Sequence, residues 1–254
     1  MLLHLVLYSP NDQYQQMYEL TRTYYRQFTN VKTIYYHYSP DQTEEYVLID
    51  DILRIKGTEV FGPAITVKTI KAFEYFETDL FSYDYIIRSN ISTIVNFHVL
   101  QRNLRQYELQ HTSIDYAGSI NVIKWRDPDA GIVTDEWIGL ETVSGICIIL
   151  SSMLVKNLLD HKQFIRFDIM DDVAIGIYAK EVSIPITSFT DMVQWMPNCH
   201  GNYDEVKQII GDTLHQTMLY RNRNNESREI DVHQMSHIIT LLQEVDESVW
   251  NSTI

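Results

Sequence analysis

The sequence predicts an α/β domain in which strands and helices alternate. Three observations carry this expectation. Residues Leu2 to Leu7 form a short apolar run closed by the turn formers Ser9-Pro10-Asn11-Asp12, which reads as a buried strand feeding a loop. From about Asp12 the pattern turns helical, with Tyr14, Met17, Tyr18, Thr21, Tyr24, Tyr25 and Phe28 at three- and four-residue steps on one face. Strand-like and helix-like segments then alternate to the end, with no repeat of roughly 20 to 50 residues and no break in composition.

Each further element follows from local pattern. Val31 to Tyr38 is rich in β-formers and stops at Ser39-Pro40, and Tyr46 to Ile55 is a third strand containing Asp50 and Asp51. Gly62-Pro63 opens a helix, proline standing where its missing N–H is harmless, and Val67, Ile70, Phe73 and Phe76 give it an inward stripe to about Thr78. Tyr83 to Arg88 is a strand, followed by the polar cluster Ser89 to Thr93 and a helix from about Asn96 to Gln106. Ser119 to Trp125 is a strand leading into a long acidic loop with Asp127, Asp129, Asp135, Glu136 and Glu141. Gly145 to Leu150 is a strand, and Ser151-Ser152 cap the helix that carries Met153, Leu154, Leu158 and Leu159. A helix from Asp172 to about Lys180, a strand from Ser183 to Phe189, and two amphipathic helices, Tyr203 to Tyr220 and Val232 to Val245, complete the chain.

Composition excludes several classes. With 20 Lys+Arg against 34 Asp+Glu the formal charge is −14, and no long basic block offers the surface that nucleic-acid phosphates require. A hydrophobic fraction of 45% with only 9 Gly and 6 Pro is that of a packed domain rather than a linker-rich chain. Cys147 and Cys199 lie in no ligand or disulfide spacing and read as reduced thiols. No stretch approaches the ~18 consecutive apolar residues of a membrane-spanning helix, and the opening run lacks the flank of a signal peptide. The expected location is cytoplasmic. On that basis the sequons at Asn90, Asn225 and Asn251 read as chance matches.

Common catalytic motifs are absent: neither GxGxxG nor GxxxxGK[ST], neither GxSxG nor HExxH occurs. His233 and His237 stand four apart on a helix but have no evident third ligand, and a solvated face explains them.

Four ordered segments are more specific. Ile65-Thr66-Val67-Lys68-Thr69, Tyr83-Asp84-Tyr85-Ile86-Ile87-Arg88, Ser144-Gly145-Ile146-Cys147-Ile148-Ile149-Leu150-Ser151 and Asp171-Asp172-Val173-Ala174-Ile175-Gly176 follow one another over roughly the middle half of the chain. In order and spacing they resemble glycosyltransferase family 31, the β-1,3-galactosyltransferase and Fringe group. There the corresponding stretches read LTxKT, YDYxxKTDDDxF, YxxGxGYxLS and EDVxxG. The resemblance implies a single GT-A-like α/β domain over residues 1–254, with a mixed, mostly parallel central sheet flanked by helices. In it, residues 1–125 form a nucleotide-sugar-binding half, and residues 126–254 an acceptor and catalytic half with the C-terminal helices. It also implies a nucleotide-sugar donor, most simply a UDP-sugar, and transfer to a glycan hydroxyl with inversion.

One departure stands out. Where the family carries the acidic DxD triplet that holds Mn²⁺ on the sugar diphosphate, this chain has Asn90-Ile91-Ser92. Hard divalent ions prefer anionic oxygens, so a metal is doubtful here: either the ion is bound mainly by the diphosphate and other protein groups, or positive side chains replace it, for which Lys68, Arg88 and the Arg221, Arg223, Arg228 group are candidates. Asp172 is the first choice for the base that takes the acceptor proton and Asp171 the second, both ahead of a helix whose dipole favours a carboxylate. Tyr8 and Ser9 are candidates for the nucleotide base and ribose, Asp50 and Asp51 for ribose hydroxyls, and Asn90 and Ser92 for the diphosphate or donor sugar. Trp137, Glu136 and Glu141 are candidates to line an acceptor cleft. Each also has a structural reading, as cap, turn or rim residue. The alternative function is a degenerate glycosyltransferase fold that binds a sugar or a protein without turnover.

Overall fold

A computed structural model describes residues 1–59, 61–110, 113–198, 201–224 and 226–245. In chain order they form β1 (Leu2–Leu7), α1 (Asp12–Tyr25), β2 (Val31–Ser39), β3 (Tyr46–Ile49), β4 (Ile52–Lys56), α2 (Ala64–Tyr75), β5 (Tyr85–Asn90), β6 (Thr93–Val95), α3 (Phe97–Leu109), β7 (Tyr116–Val122), β8 (Glu141–Ser151), α4 (Ser152–Asp160), α5 (Asp171–Glu181), β9 (Ile186–Ser188), β10 (Val193–Trp195), α6 (Tyr203–Ile210), β11 (Leu219–Arg221) and α7 (Arg228–Glu244). Contacts divide the chain into two compact units: unit 1 comprises Met1–Ser9, Asn30–Asn90 and Ile114–Thr190, and unit 2 comprises Pro10–Thr29, Ile91–Ser113 and Asp191–Ile254.

Unit 1 is built on an eight-stranded mixed sheet of order β3-β4-β2-β1-β5-β8-β7-β9. Its central block, β4, β2, β1 and β5, is parallel, and β8 then runs antiparallel to both β5 and β7. The sheet is mixed and flanked by helices, as the family resemblance implies. β1 is apolar on both faces because it lies between two parallel neighbours, where neither face meets water. Its one polar side chain, His4, is buried and donates to or accepts from Ser89 at 2.8 Å. Burial pushes its pKa down to about 3, so the ring is neutral. Helices α2, α4 and α5 pack with the sheet into one core, where Ile70, Phe73, Leu154, Leu158, Ala174 and Tyr178 meet Leu3, Leu5, Ile86 and Ile148.

Unit 2 holds a three-stranded sheet, β10-β11-β6, and the helices α1, α3, α6 and α7. Asn96 caps α3 through Val99 N–H and ties its amide to the Leu214 and Thr217 carbonyls. Phe28 meets Tyr24 and Phe97 edge to face, and Tyr25 meets Phe97 in the same way.

Two sequence expectations need correction. The strand expected over Tyr46 to Ile55 is a hairpin, β3 turning back into β4 at Asp50-Asp51, with Asp50 at φ 53°. Asp tolerates the left-handed region and turns the chain without a glycine to mark it. The helix expected over Tyr203 to Tyr220 stops at Ile210, and Leu219–Arg221 becomes β11 between β6 and β10. Helical spacing there is outweighed by two non-local ladders. Cys147 is a free, buried thiol whose pKa burial pushes up to about 12. Cys199, Asn225 and Asn251 lie outside the described residues.

One glycine fixes the approach to α5. Gly131 sits at φ +81°, and a Cβ there would stand 2.0 Å from the Asp168 carbonyl oxygen, just ahead of the helix. Gly131→Ala is expected to destabilise the protein by more than about 1 kcal/mol, because left-handed strain adds to the clash. Urea denaturation measures it.

Candidate active site

The carboxyl ends of β1, β2, β4 and β5 lie along one edge of the unit 1 sheet, the edge where α/β sheets generally bind ligands. Two charged groups stand there.

The first centres on Glu59. Its Oε1 accepts from Tyr38 N–H at 2.7 Å and from Lys68 Nζ at 2.9 Å, and its Oε2 accepts from Lys68 at 2.7 Å and Ser9 Oγ at 3.3 Å. Lys68 on α2 is buried, with its ammonium 5.3 Å over the Tyr38 ring. Burial lowers its pKa, and Glu59 opposes that shift.

The second group centres on Arg88 of β5 and Asp171 of α5, 2% and 1% exposed, paired at 2.7 Å. Arg88 Nη2 also reaches Asp171 Oδ1 at 3.0 Å, while Nη1 donates to Asn90 Oδ1 at 2.9 Å and to the Gly145 carbonyl. Thr69 Oγ1 donates to Asp171 at 2.7 Å and stands 3.0 Å from the Tyr36 hydroxyl. Burial opposes the charge on Arg88, but Asp171, Tyr36 and Asp172 outweigh it and hold the guanidinium pKa above its ordinary value. The two groups are coupled, since Arg88 and Asp171 both act electrostatically on Lys68.

Asp172, next along α5, has different surroundings. Its Oδ2 accepts from Gly145 N–H and its Oδ1 from Val173 N–H, each at 2.9 Å, and no cation pairs with it among the described residues. Burial and then the Asp171 charge raise its pKa above the ordinary 3.8. The Gly145 peptide therefore joins the pair of acids, its carbonyl bound to Arg88 and its N–H to Asp172. A Cβ on Gly145 would lie 2.9 Å from Asp172 Oδ2, so only glycine admits this approach unshifted.

The structure thus brings together Ser9 and Lys68, through Glu59, and Arg88, Asn90, Asp171 and Asp172, through Gly145. Tyr8 is 2% exposed, its ring edge-on to Tyr35 and His37 within the core. Asp50 and Asp51 sit at the hairpin turn at the opposite end of β4 and do not reach this edge. Ser92 belongs to unit 2, buried, with its hydroxyl accepting from Arg221. Trp137 lies under the Arg166 guanidinium, Glu136 is exposed, and Glu141 opens β8. Glu59, Thr69 and Gly145 were missed as functional positions. The only signal for Thr69 and Gly145 was their place inside the quoted segments; Glu59 had none, because its partners come from three separate stretches of chain.

The sequence model of the galactosyltransferase family matches residues 40–190, more than half of the chain. The chain belongs to the galactosyltransferase family. The matched stretch carries Glu59, Lys68, Thr69, Arg88, Asn90, Gly145, Asp171 and Asp172, while Tyr8 and Ser9 lie outside it. No curated protein matches the sequence. Among solved structures, one described as "crystal structure of a glycosyltransferase involved in the glycosylation of the major capsid of PBCV-1" shares 10% identity over 92% of this chain and 98% of that one, with a TM-score of 0.48. Among the described residues no helix is long and apolar enough to cross a membrane.

A galactosyltransferase-like triplet would hold a divalent ion between two carboxylates. Here the Asn90 oxygen accepts from Arg88 and the Ser92 oxygen from Arg221, so each oxygen a cation would need already faces a guanidinium. These residues do not fit a divalent ion. Among the described residues, no three His, Cys, Asp or Glu side chains gather as a metal site elsewhere.

Arg88→Met leaves Asp171 charged and buried without its partner, which costs about 3–5 kcal/mol. Adding Asp171→Asn should recover most of that loss, and a double-mutant cycle by urea denaturation reads the coupling.

Proposed function

We propose that the chain transfers a sugar from a nucleotide-sugar donor, a UDP-sugar, to a glycan hydroxyl with inversion at the anomeric carbon, Asp172 serving as the base. The observation that carries this reading is the contrast between two adjacent carboxylates. Asp171 is paired with Arg88 and accepts from Thr69, whereas Asp172 accepts only from backbone N–H groups, feels Arg88 without pairing with it, and keeps a raised pKa, suited to taking a proton. Of the two candidate bases, these surroundings favour Asp172.

In this reaction the acceptor oxygen bonds to the anomeric carbon as the bond to the diphosphate breaks. The acceptor proton passes to Asp172, and the bonding pair leaves with the diphosphate. Gly145 N–H and Val173 N–H hold the carboxylate in one orientation. The Arg88–Asp171 and Lys68–Glu59 pairs hold the edge in place, with Asn90 bound to Arg88 and Ser9 bound to Glu59 toward the nucleotide. Tyr8 supports that edge from the core. No step passes through a metal ion.

A second reading, binding of a sugar or protein without turnover, draws on one observation: Asn90 and Ser92 stand where the family carries acids. A panel of nucleotide sugars with a glycan acceptor separates the two. Transfer with inverted product stereochemistry supports the first; donor binding without hydrolysis or transfer sinks it.

Asp172→Asn is expected to lower transfer by about 10²- to 10⁴-fold with the fold retained, read by product formation and circular dichroism. In the wild type kcat/KM should fall as the pH drops through the raised Asp172 pKa, a limb lying above 3.8. Stability has the opposite sign. Folded Asp172 binds its proton more tightly than the unfolded chain does, so its contribution is full below 3.8 and is lost as pH rises through the raised value. Relative to the wild type, Asp172→Asn should therefore be more stable at pH 7 than at pH 4, as denaturant titrations at the two pH values would show.

A further inference from the structure

Unit 2 brings three arginines together in one short stretch of a chain of formal charge −14. β11 ends at Arg221, Arg223 follows two residues later, and α7 opens at Arg228. Three acids stand among them: the exposed Glu226 and Glu229, which pair with no arginine among the described residues, and Asp231. Asp231 is fully buried and already engaged, by the Arg228 guanidinium and by Asn224 N–H at 2.7 Å. Arg228 is further fixed over the Tyr14 ring at 5.4 Å.

Arg221 has no carboxylate within ion-pairing distance among the described residues. Its Nη1 donates to two neutral hydroxyls, Ser92 Oγ and Thr93 Oγ1. Nε is buried with no partner, and Nη2 makes no hydrogen bond to any described residue. Nε and Nη2 share one edge of the planar guanidinium. Elsewhere in this protein that same edge grips a carboxylate two-handed: Arg126 holds Asp135 through Nε and Nη2 at 2.8 and 2.6 Å, and Arg166 holds Asp168 at 2.9 and 2.8 Å. Arg221 leaves it without a partner among the described residues. Burial first, then repulsion from Arg228 and Arg223, pushes the Arg221 pKa down to about 10, the direction expected of a cation lacking its anion.

We propose that Arg221, Arg223 and Arg228 form an oxyanion site within unit 2 that takes the phosphate or diphosphate group of a small ligand. Asp231 pairs with Arg228, while Arg221 and Arg223 have no carboxylate within ion-pairing distance among the described residues, which leaves two guanidinium groups for the oxygens of a phosphate. Residue 92 explains why the Arg221 charge is unpaired. An acid there would pair with Nη1 and neutralise the guanidinium, whereas the serine hydroxyl only accepts one hydrogen bond. The proposal rests on contacts inside unit 2 and is independent of Asp172.

Calorimetry on the full chain with pyrophosphate tests it, since pyrophosphate carries neither nucleoside nor sugar and reports nothing on transfer. The wild type should bind with an affinity that falls steeply with added salt. Arg221→Gln and the exposed Arg223→Gln should each weaken binding about 10-fold or more, and Ser92→Asp should abolish it by supplying the missing anion. Retained circular dichroism identifies the folded variants, and the exposed position of Arg223 makes its variant the safer of the set. A parallel titration with UDP identifies the source of the group. Competition with pyrophosphate and the same losses assign the site to a nucleotide diphosphate; pyrophosphate binding that responds to the variants while UDP binding does not assigns it to inorganic phosphates. Absent pyrophosphate binding, or equal binding by the wild type and the folded variants, overturns the proposal.

Discussion

The Arg88–Asp171 ion pair is the constraint around which unit 1 is arranged. Both partners are removed from water, and a charge so placed is tolerated only when its hydrogen-bonding capacity is nearly filled from within. Arg88 draws on β5, on Asn90 and on the β8 backbone; Asp171 draws on Thr69 of α2 and on the first turn of α5. The pair therefore fixes a strand, its antiparallel neighbour and two helices against one another. Its ionic character gives direction to packing that hydrophobic contacts alone would leave free to slide.

Asp172 inherits its position from that arrangement. Once Asp171 is anchored, the next residue of the helix is carried up to Gly145, whose N–H meets it and whose missing side chain makes room for it. Two carboxylates adjacent in sequence thus acquire opposite characters. One is a neutralised structural anion, and the other is a raised-pKa group held by dipoles rather than by a cation. The same economy appears at Glu59, which gathers a lysine, a serine and a backbone N–H at the ends of neighbouring strands.

Much of this was legible from residue order. The apolar run of β1, the helical stripe of α1, the Ser151 cap of α4 and the acid pair that opens α5 are local patterns, and local patterns survive into the fold when packing agrees with them. The four ordered segments likewise led to the family that the wider match bears out over residues 40–190. Where local pattern and tertiary pairing disagreed, pairing prevailed. Leu219–Arg221 left a helical spacing to bridge two strands, and Asp50-Asp51 turned what looked like one strand into a hairpin facing away from the carboxyl edge. Lys68 and Arg88 looked like free cations in sequence, because the acids that hold them lie 9 residues before one and 83 after the other.

What the sequence determined by itself is the alternation of strands and helices and the family. These depend on side-chain period and residue type, which a linear string preserves. The tertiary structure alone decided which charges are paired and which are not: Arg88 with Asp171, Lys68 with Glu59, Asp172 with backbone N–H groups only, and the Arg221 edge with nothing among the described residues. Pairing depends on distance and desolvation between residues far apart in the chain, and neither quantity exists until the sheet has closed its register.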